Sequence, residues 1–399
     1  MSNIGVFIQV FNPIHNGHML LMDKLKEKFG MDKILLVLSN ISRNKYEQVA
    51  LIEDRLNMCR LATKNCQQFE VYNSDKDLKN ANQIFDMLQK VKSKFYFDGL
   101  YFIIEYGLMV SLNFCYAYGN IFDFVSIILI VFSEEEYLSA KKKIKKFGKN
   151  VSIIKLEIPN ISSQYVRIRF AQGLGCSRYL NRDVEKYILK HGVYSQKGAL
   201  FRECFDASGN RLSIKRFTHC QMVAKAAKGL AKIYHEDEKK AEIAGILHDI
   251  VKEKDKKSLL RIIQDEGMVL NPVEKSSPKI WHAIAGAIYC KKWLGIESEQ
   301  ILNAIRYHTT ARKNMTKFEK IIYIADCISD DRKYREVDFE RKLAKSDLDM
   351  ALLFHLKLSI KQLCEKNCSI HPATIDCYNQ LCNNFQKKCE EQGGDRHEN

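Results

Sequence analysis

The stretch Ala244-Gly245-Ile246-Leu247-His248-Asp249-Ile250-Val251-Lys252-Glu253 decides how this chain is read, because an apolar helical run ends there in adjacent imidazole and carboxylate side chains. Neighbouring residues on a helix point about 100° apart, so both reach one ion only if it lies near the helix surface and other helices complete its shell. Further His and Asp residues, each set into an apolar face, are therefore expected elsewhere. His219 stands in Arg216-Phe217-Thr218-His219, ahead of Met222, Val223, Ala226, Ala227, Leu230 and Ala231 at helical spacing. His282 lies in Trp281-His282-Ala283, His308 in Tyr307-His308-Thr309-Thr310, and Asp326 closes Ile321-Ile322-Tyr323-Ile324-Ala325-Asp326.

A lone histidine on an apolar face is ordinarily a hydrogen-bonded core residue, but six such positions in one helical region are a different pattern. Mixed imidazole and carboxylate ligands suit zinc, iron or manganese, and six exceed one tetrahedral shell, so two ions sharing a carboxylate are expected. Paired ions about 3.5–4 Å apart serve phosphate ester and anhydride hydrolysis. The order His, His-Asp, His, His, Asp, with Leu-His-Asp-Ile-x-Lys, His-Thr-Thr and Ile-Ala-Asp, resembles the HD-domain phosphohydrolases, specifically the bacterial YqeK type. That resemblance implies symmetrical hydrolysis of diadenosine tetraphosphate to two ADP at a di-iron or related centre, with manganese or zinc as the other candidates. Ligand chemistry and resemblance together assign His219, His248, Asp249 and Asp326 to one ion and His282 and His308 to the second, Asp249 bridging them and orienting the nucleophilic water. Lys252 and Arg216, each one helical turn from a ligand, are expected either to neutralise a phosphate or to be solvated cations. Thr309 and Thr310 are expected to orient His308.

At 399 residues the chain exceeds one typical core, and 46% hydrophobic with 28% charged residues is the balance of a folded globular protein. The net charge of +15 comes in part from Lys-rich faces such as Lys141 to Lys149. These read as solvated faces with attraction for anionic nucleotides rather than for nucleic acid, since no helix-turn-helix, finger or RNP pattern is present. The 13 cysteines, with no Cys-x-x-Cys pair, fit reduced thiols in a cytoplasmic protein, and the C-terminal group Cys364, Cys368, Cys377, Cys382 and Cys389 reads as small apolar filler. No signal peptide is read, and Leu100 to Leu112 and Val125 to Phe132 are interrupted or too short to span a bilayer. The oligomeric state stays open, a homo-oligomer among the options.

The first half reads differently. Ile4 to Val10 is a strand, Met19 to Phe29 a helix, and between them lies Phe11-Asn12-Pro13-Ile14-His15-Asn16-Gly17-His18, the opening unit of a parallel α/β sheet. Two imidazoles at a helix start can donate to nucleotide phosphates. Ile34 to Leu38, Phe69 to Tyr72, Tyr101 to Ile104, Val125 to Phe132 and Ile153 to Ile158 are further strands, the last leading into Pro159-Asn160-Ile161-Ser162-Ser163-Gln164-Tyr165-Val166-Arg167. Two hydroxyls and an arginine at that helix start form a second phosphate cradle. His-x-Gly-His followed by Ile-Ser-Ser-x-x-x-Arg is similar to the nucleotidyltransferase superfamily, in particular nicotinate mononucleotide adenylyltransferases. The resemblance implies a Rossmann-like fold, ATP with magnesium, adenylyl transfer to nicotinate mononucleotide, nucleotide binding by Asn12, His15, His18, Ser162, Ser163 and Arg167, and catalysis by His15 and His18. This chain departs from that pattern where Ile8-Gln9-Val10-Phe11 replaces a Gly-Gly-x-Phe turn, where Glu105-Tyr106-Gly107 replaces a Gly-Ser/Ala-Asp turn, and where Gln164 replaces a threonine. A non-catalytic, nucleotide-sensing first domain is the competing reading.

The expected architecture is an α/β Rossmann-like nucleotidyltransferase domain, 1–195, followed by an all-α HD-domain helical bundle, 196–386, and a polar tail, 387–399. Within the second, Lys197 to Arg211 reads as a polar junction and Phe339 to Leu363 as one helix. HD enzymes that cleave deoxynucleoside triphosphates, guanosine alarmones or cyclic dinucleotides are not excluded by these residues' chemistry.

Overall fold

Near-continuous runs of Val, Ile and Leu bounded by turn residues form strands buried on both faces, the signature of a parallel sheet. The computed structural model describes residues 3–40, 49–72, 78, 81–94, 99–111, 125–144, 150–155, 161–196 and 198–394. They fall into two compact units, Met1–Ala199 and Leu200–Asn399.

In the first unit β1 (Asn3–Gln9), β2 (Lys33–Leu38), β3 (Phe69–Tyr72), β4 (Gly99–Glu105), β5 (Ser126–Val131) and β6 (Val151–Lys155) form one sheet in the order β3-β2-β1-β4-β5-β6. Every pairing is parallel. Helices α1 (Asn16–Phe29), α2 (Ile52–Thr63), α3 (Ala81–Lys94), α4 (Tyr106–Ser111), α5 (Glu134–Ile144), α6 (Ser163–Ala171) and α7 (Arg182–His191) connect or follow the strands. Alternate residues of one strand serve two cores. Phe7, Leu36 and Ile103 pack with Leu21 and Met22 of α1 on one face, while Val6, Ile8, Leu35 and Phe102 pack with Ile84 and Leu88 of α3 on the other. The strand order reverses between β1 and β4, and in such sheets ligands bind at the carboxyl ends beside that reversal. The turn after Gln9 lies there. Gly192 ends α7 in the left-handed conformation, as its position in the sequence leads one to expect.

The second unit, among the described residues, is helical: α8 (Ala199–Gly209), α9 (Ile214–Ile233), α10 (Glu238–Leu247), α11 (Lys256–Gln264), α12 (Pro272–Ser276), a 3-10 turn (Pro278–Ile280), α13 (Trp281–Leu294), α14 (Glu299–Tyr307), α15 (Lys317–Ile328), α16 (Val337–Ser346), α17 (Leu348–Glu365) and α18 (Pro372–Gly394). Three expectations need correction. The segment Lys197 to Arg211 is not a polar turn but contains α8, whose Ser208 hydroxyl donates to the Ile246 carbonyl of α10. Phe339 to Leu363 is two helices, because extended Asp347 interrupts it and its carboxylate accepts from the Asp349 and Met350 amides to cap α17. Of the described C-terminal cysteines, Cys364 and Cys368 are exposed and Cys382 is half-buried, so among them only Cys377 is buried filler. Leu112, 145–149, 156–160, Lys197, 395–399 and the Cys389 side chain, all part of segments read above, lie outside the described residues. No described helix is long and apolar enough to cross a membrane.

Gly245 sets how closely α10 meets α9: a Cβ there would sit 2.6 Å from Ala224 Cα, a backbone atom that cannot swing aside. Gly245→Ala is therefore expected to destabilise the second unit by about 3 kcal/mol. Urea unfolding with an unchanged midpoint would contradict this close approach.

Candidate functional site

Helix ends present several of the candidate metal-ligating groups of the second unit. His248 follows the last residue of α10 and His308 the last residue of α14, where unpaired carbonyls are available. The Nδ1 atoms of His248, His282 and His308 lie 2.7, 2.8 and 2.7 Å from the carbonyl oxygens of Gly245, Lys279 and Ile305, each three residues earlier. A carbonyl only accepts, so each Nδ1 carries the proton and each Nε2 points its lone pair inward. His219 is held in the same way by Asp331, whose Oδ2 lies 2.8 Å from its Nδ1.

These lone pairs converge on Asp249. Its Oδ1 is 3.2 Å from His282 Nε2 and 3.5 Å from His308 Nε2, while its Oδ2 is 3.5 Å from His248 Nε2. His219 Nε2 is 3.1 Å from Asp326 Oδ1. His219, His248 and Asp249 form one close group and Asp249, His282 and His308 another, each with donor atoms within 4.8 Å of one another; His248, His308 and Asp326 also meet that limit. All six residues singled out from the sequence as candidate ligands are thus brought together.

Several features fit a cation. The His282 and His308 Nε2 atoms are only 3.2 Å apart, and two facing lone pairs repel unless positive charge lies between them. The Lys252 ammonium supplies such charge, donating to His282 Nε2 at 2.7 Å and lying 3.7 Å from Asp249 Oδ1. His219 Nε2, His248 Nε2 and Asp249 Oδ1 are buried without a hydrogen-bond partner. Burial holds the His282 imidazole down to about 4, keeping its lone pair available at neutral pH. Donor atoms about 3 Å apart are what bonds of about 2.1 Å to one ion produce.

The flanking cations are not simply solvated. Arg216 Nη1 donates to Asp249 Oδ2 at 3.0 Å, and both Arg216 and Lys252 side chains are about a third exposed, inner ends on the carboxylate and outer parts toward solvent. Thr309 and Thr310 do not orient His308: the Ile305 carbonyl does, while the Thr310 hydroxyl donates to the Ala311 carbonyl. Asp331 and Arg332 were not singled out from the sequence. Arg332 bonds the Asp326 side chain and donates from Nε to its carbonyl at 2.8 Å. The signal was present as Asp330-Asp331-Arg332 just beyond Ile-Ala-Asp, but nothing in the spacing says that the chain turns back. Asp331 acts through His219, so Asp331→Asn is expected to weaken divalent-metal affinity by about 10–100-fold with helical content unchanged. Equal affinity by titration calorimetry would refute that role.

In the first unit, the turn after β1 and the start of α6 form one constellation. Ser163 Oγ donates to the Pro13 carbonyl at 2.9 Å, and Arg167 Nη1 donates to the Asn12 carbonyl at 2.7 Å. The Asn12 side-chain oxygen accepts from the Ala50 amide and the Tyr194 hydroxyl. Ser162 caps α6 by accepting from the Tyr165 amide. Ser162, Ser163 and Arg167 therefore hold helix and turn together as well as bordering the site. Ile8 and Gln9, which stand where the pattern has two glycines, lie at the end of β1; Phe11, which the pattern shares, holds a left-handed backbone, φ 47°, and its ring stands edge-on 5.2 Å from that of His18. Buried Arg55, a further residue not singled out, donates to the carbonyls of Val10 and Ser39.

His15 and His18 stack with ring centroids 3.7 Å apart. The His15 amide donates to His18 Nδ1 at 3.1 Å, so His18 Nε2 carries the proton that a phosphate oxygen can accept. Burial holds His18 down to about 3, and burial with the neighbouring His18 holds His15 well below its ordinary value. Both are neutral donors near pH 7. The unfolded chain, with ordinary histidines near 6.5, binds more protons than the folded one between that pH and about 3. Stability is fully present above pH 6.5 and lost as pH falls, His18 alone costing roughly 2 kcal/mol by pH 5. Unfolding of the first unit should show this loss, and His18→Gln should reduce it; a loss of equal size in His18→Gln would refute the cause.

Comparison with known proteins matches the two units separately and together. The HD domain family matches residues 216–331 and the Cytidylyltransferase-like family residues 6–169. The "Probable nicotinate-nucleotide adenylyltransferase/Ap4A hydrolase" of Mycoplasma genitalium is 30% identical over 367 residues, 89% of this chain and 97% of that protein. The "Bis(5'-nucleosyl)-tetraphosphatase, symmetrical" of Bacillus subtilis is 40% identical over 171 residues, 43% of this chain and 91% of that protein. The "Probable nicotinate-nucleotide adenylyltransferase" of Dictyoglomus thermophilum is 28% identical over 192 residues, 48% of this chain and 98% of that protein.

Proposed function

This chain belongs to the same family as the Mycoplasma genitalium adenylyltransferase/Ap4A hydrolase, and we propose that its second domain, 196–386, is a divalent-metal hydrolase that splits diadenosine tetraphosphate into two ADP. The observation that carries this is Asp249, buried between two sets of inward-facing imidazole lone pairs. His219, His248, Asp249 and Asp326 would hold one ion and His282 and His308 the other, Asp249 bridging; iron is favoured, with manganese or zinc as alternatives. Such ions, when bound, would lower the pKa of water and stabilise charge developing on phosphate oxygens. The chain's own residues supply the rest. The Nδ1 bonds lock each imidazole in the tautomer that ligates, Asp249 orients the water, and Arg216 and Lys252 lie where they can pair with the polyphosphate. Water oxygen bonds to an inner phosphorus and releases its proton to solvent, the bond from that phosphorus to the central bridging oxygen breaks, and that oxygen leaves with the second ADP.

For the first domain, 1–195, the joined turn and α6 start favour nucleotide binding, with adenylyl transfer as its activity. ATP would be bound as its magnesium complex by Asn12, His15, His18, Ser162, Ser163 and Arg167. A phosphate oxygen of nicotinate mononucleotide would attack the α-phosphorus and displace pyrophosphate, with no covalent intermediate, so that positioning and neutral donors from His15 and His18 carry the reaction. Residues 387–399 are assigned no part in either reaction.

Given diadenosine tetraphosphate with iron, manganese or zinc, the purified chain should release ADP as sole product. Release of AMP with ATP would contradict symmetrical cleavage.

A further inference from the structure

Outside that centre, α15, α16 and α17 bring together three side chains of different donor type: Cys327, Glu340 and His355. One donor atom of each lies within 4.8 Å of the others. Glu340 is fully buried; its Oε2 accepts from the Tyr334 hydroxyl, while its Oε1 has no hydrogen-bond partner. His355 Nδ1 lies 3.0 Å from that Oε1 and 3.1 Å from Oε2. The Cys327 thiol donates to the Tyr323 carbonyl at 3.2 Å, one turn earlier on its own helix. A fully buried carboxylate whose Oε1 faces an imidazole without hydrogen-bond geometry, with a thiol beside it, presents three donors of different type to one point, an arrangement that a cation would complete.

We propose that Cys327, Glu340 and His355 form a second, separate divalent-metal site, selective for zinc. Sulfur, nitrogen and oxygen donors in one set suit zinc better than magnesium or calcium, and three protein ligands leave one tetrahedral position for water. The site ties three helices at one point. Cys327 directly follows Asp326, so an ion here fixes the end of α15 that carries a ligand of the principal centre. Its role is that of a structural staple beside the hydrolytic site, not a participant in hydrolysis.

The sulfur ligand makes the two sites distinguishable, since the principal ring contains no cysteine. The chelator-treated full-length chain is titrated with cobalt(II) and its near-ultraviolet absorbance recorded. A thiolate-to-cobalt charge-transfer band is expected that saturates within three equivalents, the principal ring taking the other two. It should vanish in Cys327→Ser, weaken at least tenfold in apparent affinity in His355→Asn, and persist in Asp249→Asn, which damages only the principal ring. Circular dichroism on each variant confirms that the helices are intact. A folded wild-type chain without the band, or a band untouched by Cys327→Ser, overturns the proposal.

Discussion

Asp249→Asn is expected to lower diadenosine tetraphosphate hydrolysis by at least about 10³-fold, equivalent to roughly 4 kcal/mol of transition-state stabilisation. The reason is positional. Asp249 is the residue whose two oxygens face different imidazole sets, and it also receives Arg216 and lies beside Lys252. An amide keeps the shape but loses the negative charge that offsets two cationic side chains and any bound ions, so bound metal should fall together with activity. Helical circular dichroism should stay unchanged, because the Nδ1 bonds that place the imidazoles go to Gly245, Lys279, Ile305 and Asp331 rather than to Asp249. Activity within tenfold of wild type, with metal content preserved, would show that Asp249 is not shared between ions.

His18→Ala should reduce dinucleotide formation from ATP and nicotinate mononucleotide by about 10²–10³-fold, the usual cost of removing one preorganised donor. The His15 amide occupies His18 Nδ1, leaving Nε2 as the donating atom, and burial keeps the ring neutral throughout the working range. Hydrolysis of diadenosine tetraphosphate by the same variant should be unchanged. His18→Gln retains a donor and should recover part of the transferase rate. If wild type and His18→Ala form dinucleotide equally well, the turn is not where phosphate is activated.

Much of this was legible in the residues themselves. The convergence of the six candidate residues could be anticipated because each chemistry-bearing side chain interrupts an otherwise apolar helical face, and the parallel sheet because buried strands such as Ile34 to Leu38 are apolar without alternation. What stayed hidden depends on contacts distant in sequence or on backbone atoms. His308 is oriented by a carbonyl, which has no side-chain signature, so the adjacent threonines drew the assignment instead. Asp331 reaches His219 across 112 positions, and Arg167 reaches the Asn12 carbonyl across 155. The break between α16 and α17 turns on Asp347 preferring to cap a new helix, a choice that leucine periodicity on either side conceals. The segment Ile8-Gln9-Val10-Phe11 shows a further limit: side chains stand at Ile8 and Gln9 where two glycines were expected, both within β1, and nothing in the residues announces the left-handed backbone at Phe11.

The most direct measurement is anomalous scattering from crystals of the full chain loaded with manganese. The account predicts two peaks about 3.5–4 Å apart flanking the Asp249 carboxylate, one beside His219, His248 and Asp326 and one beside His282 and His308. A single peak, or peaks remote from Asp249, would contradict it.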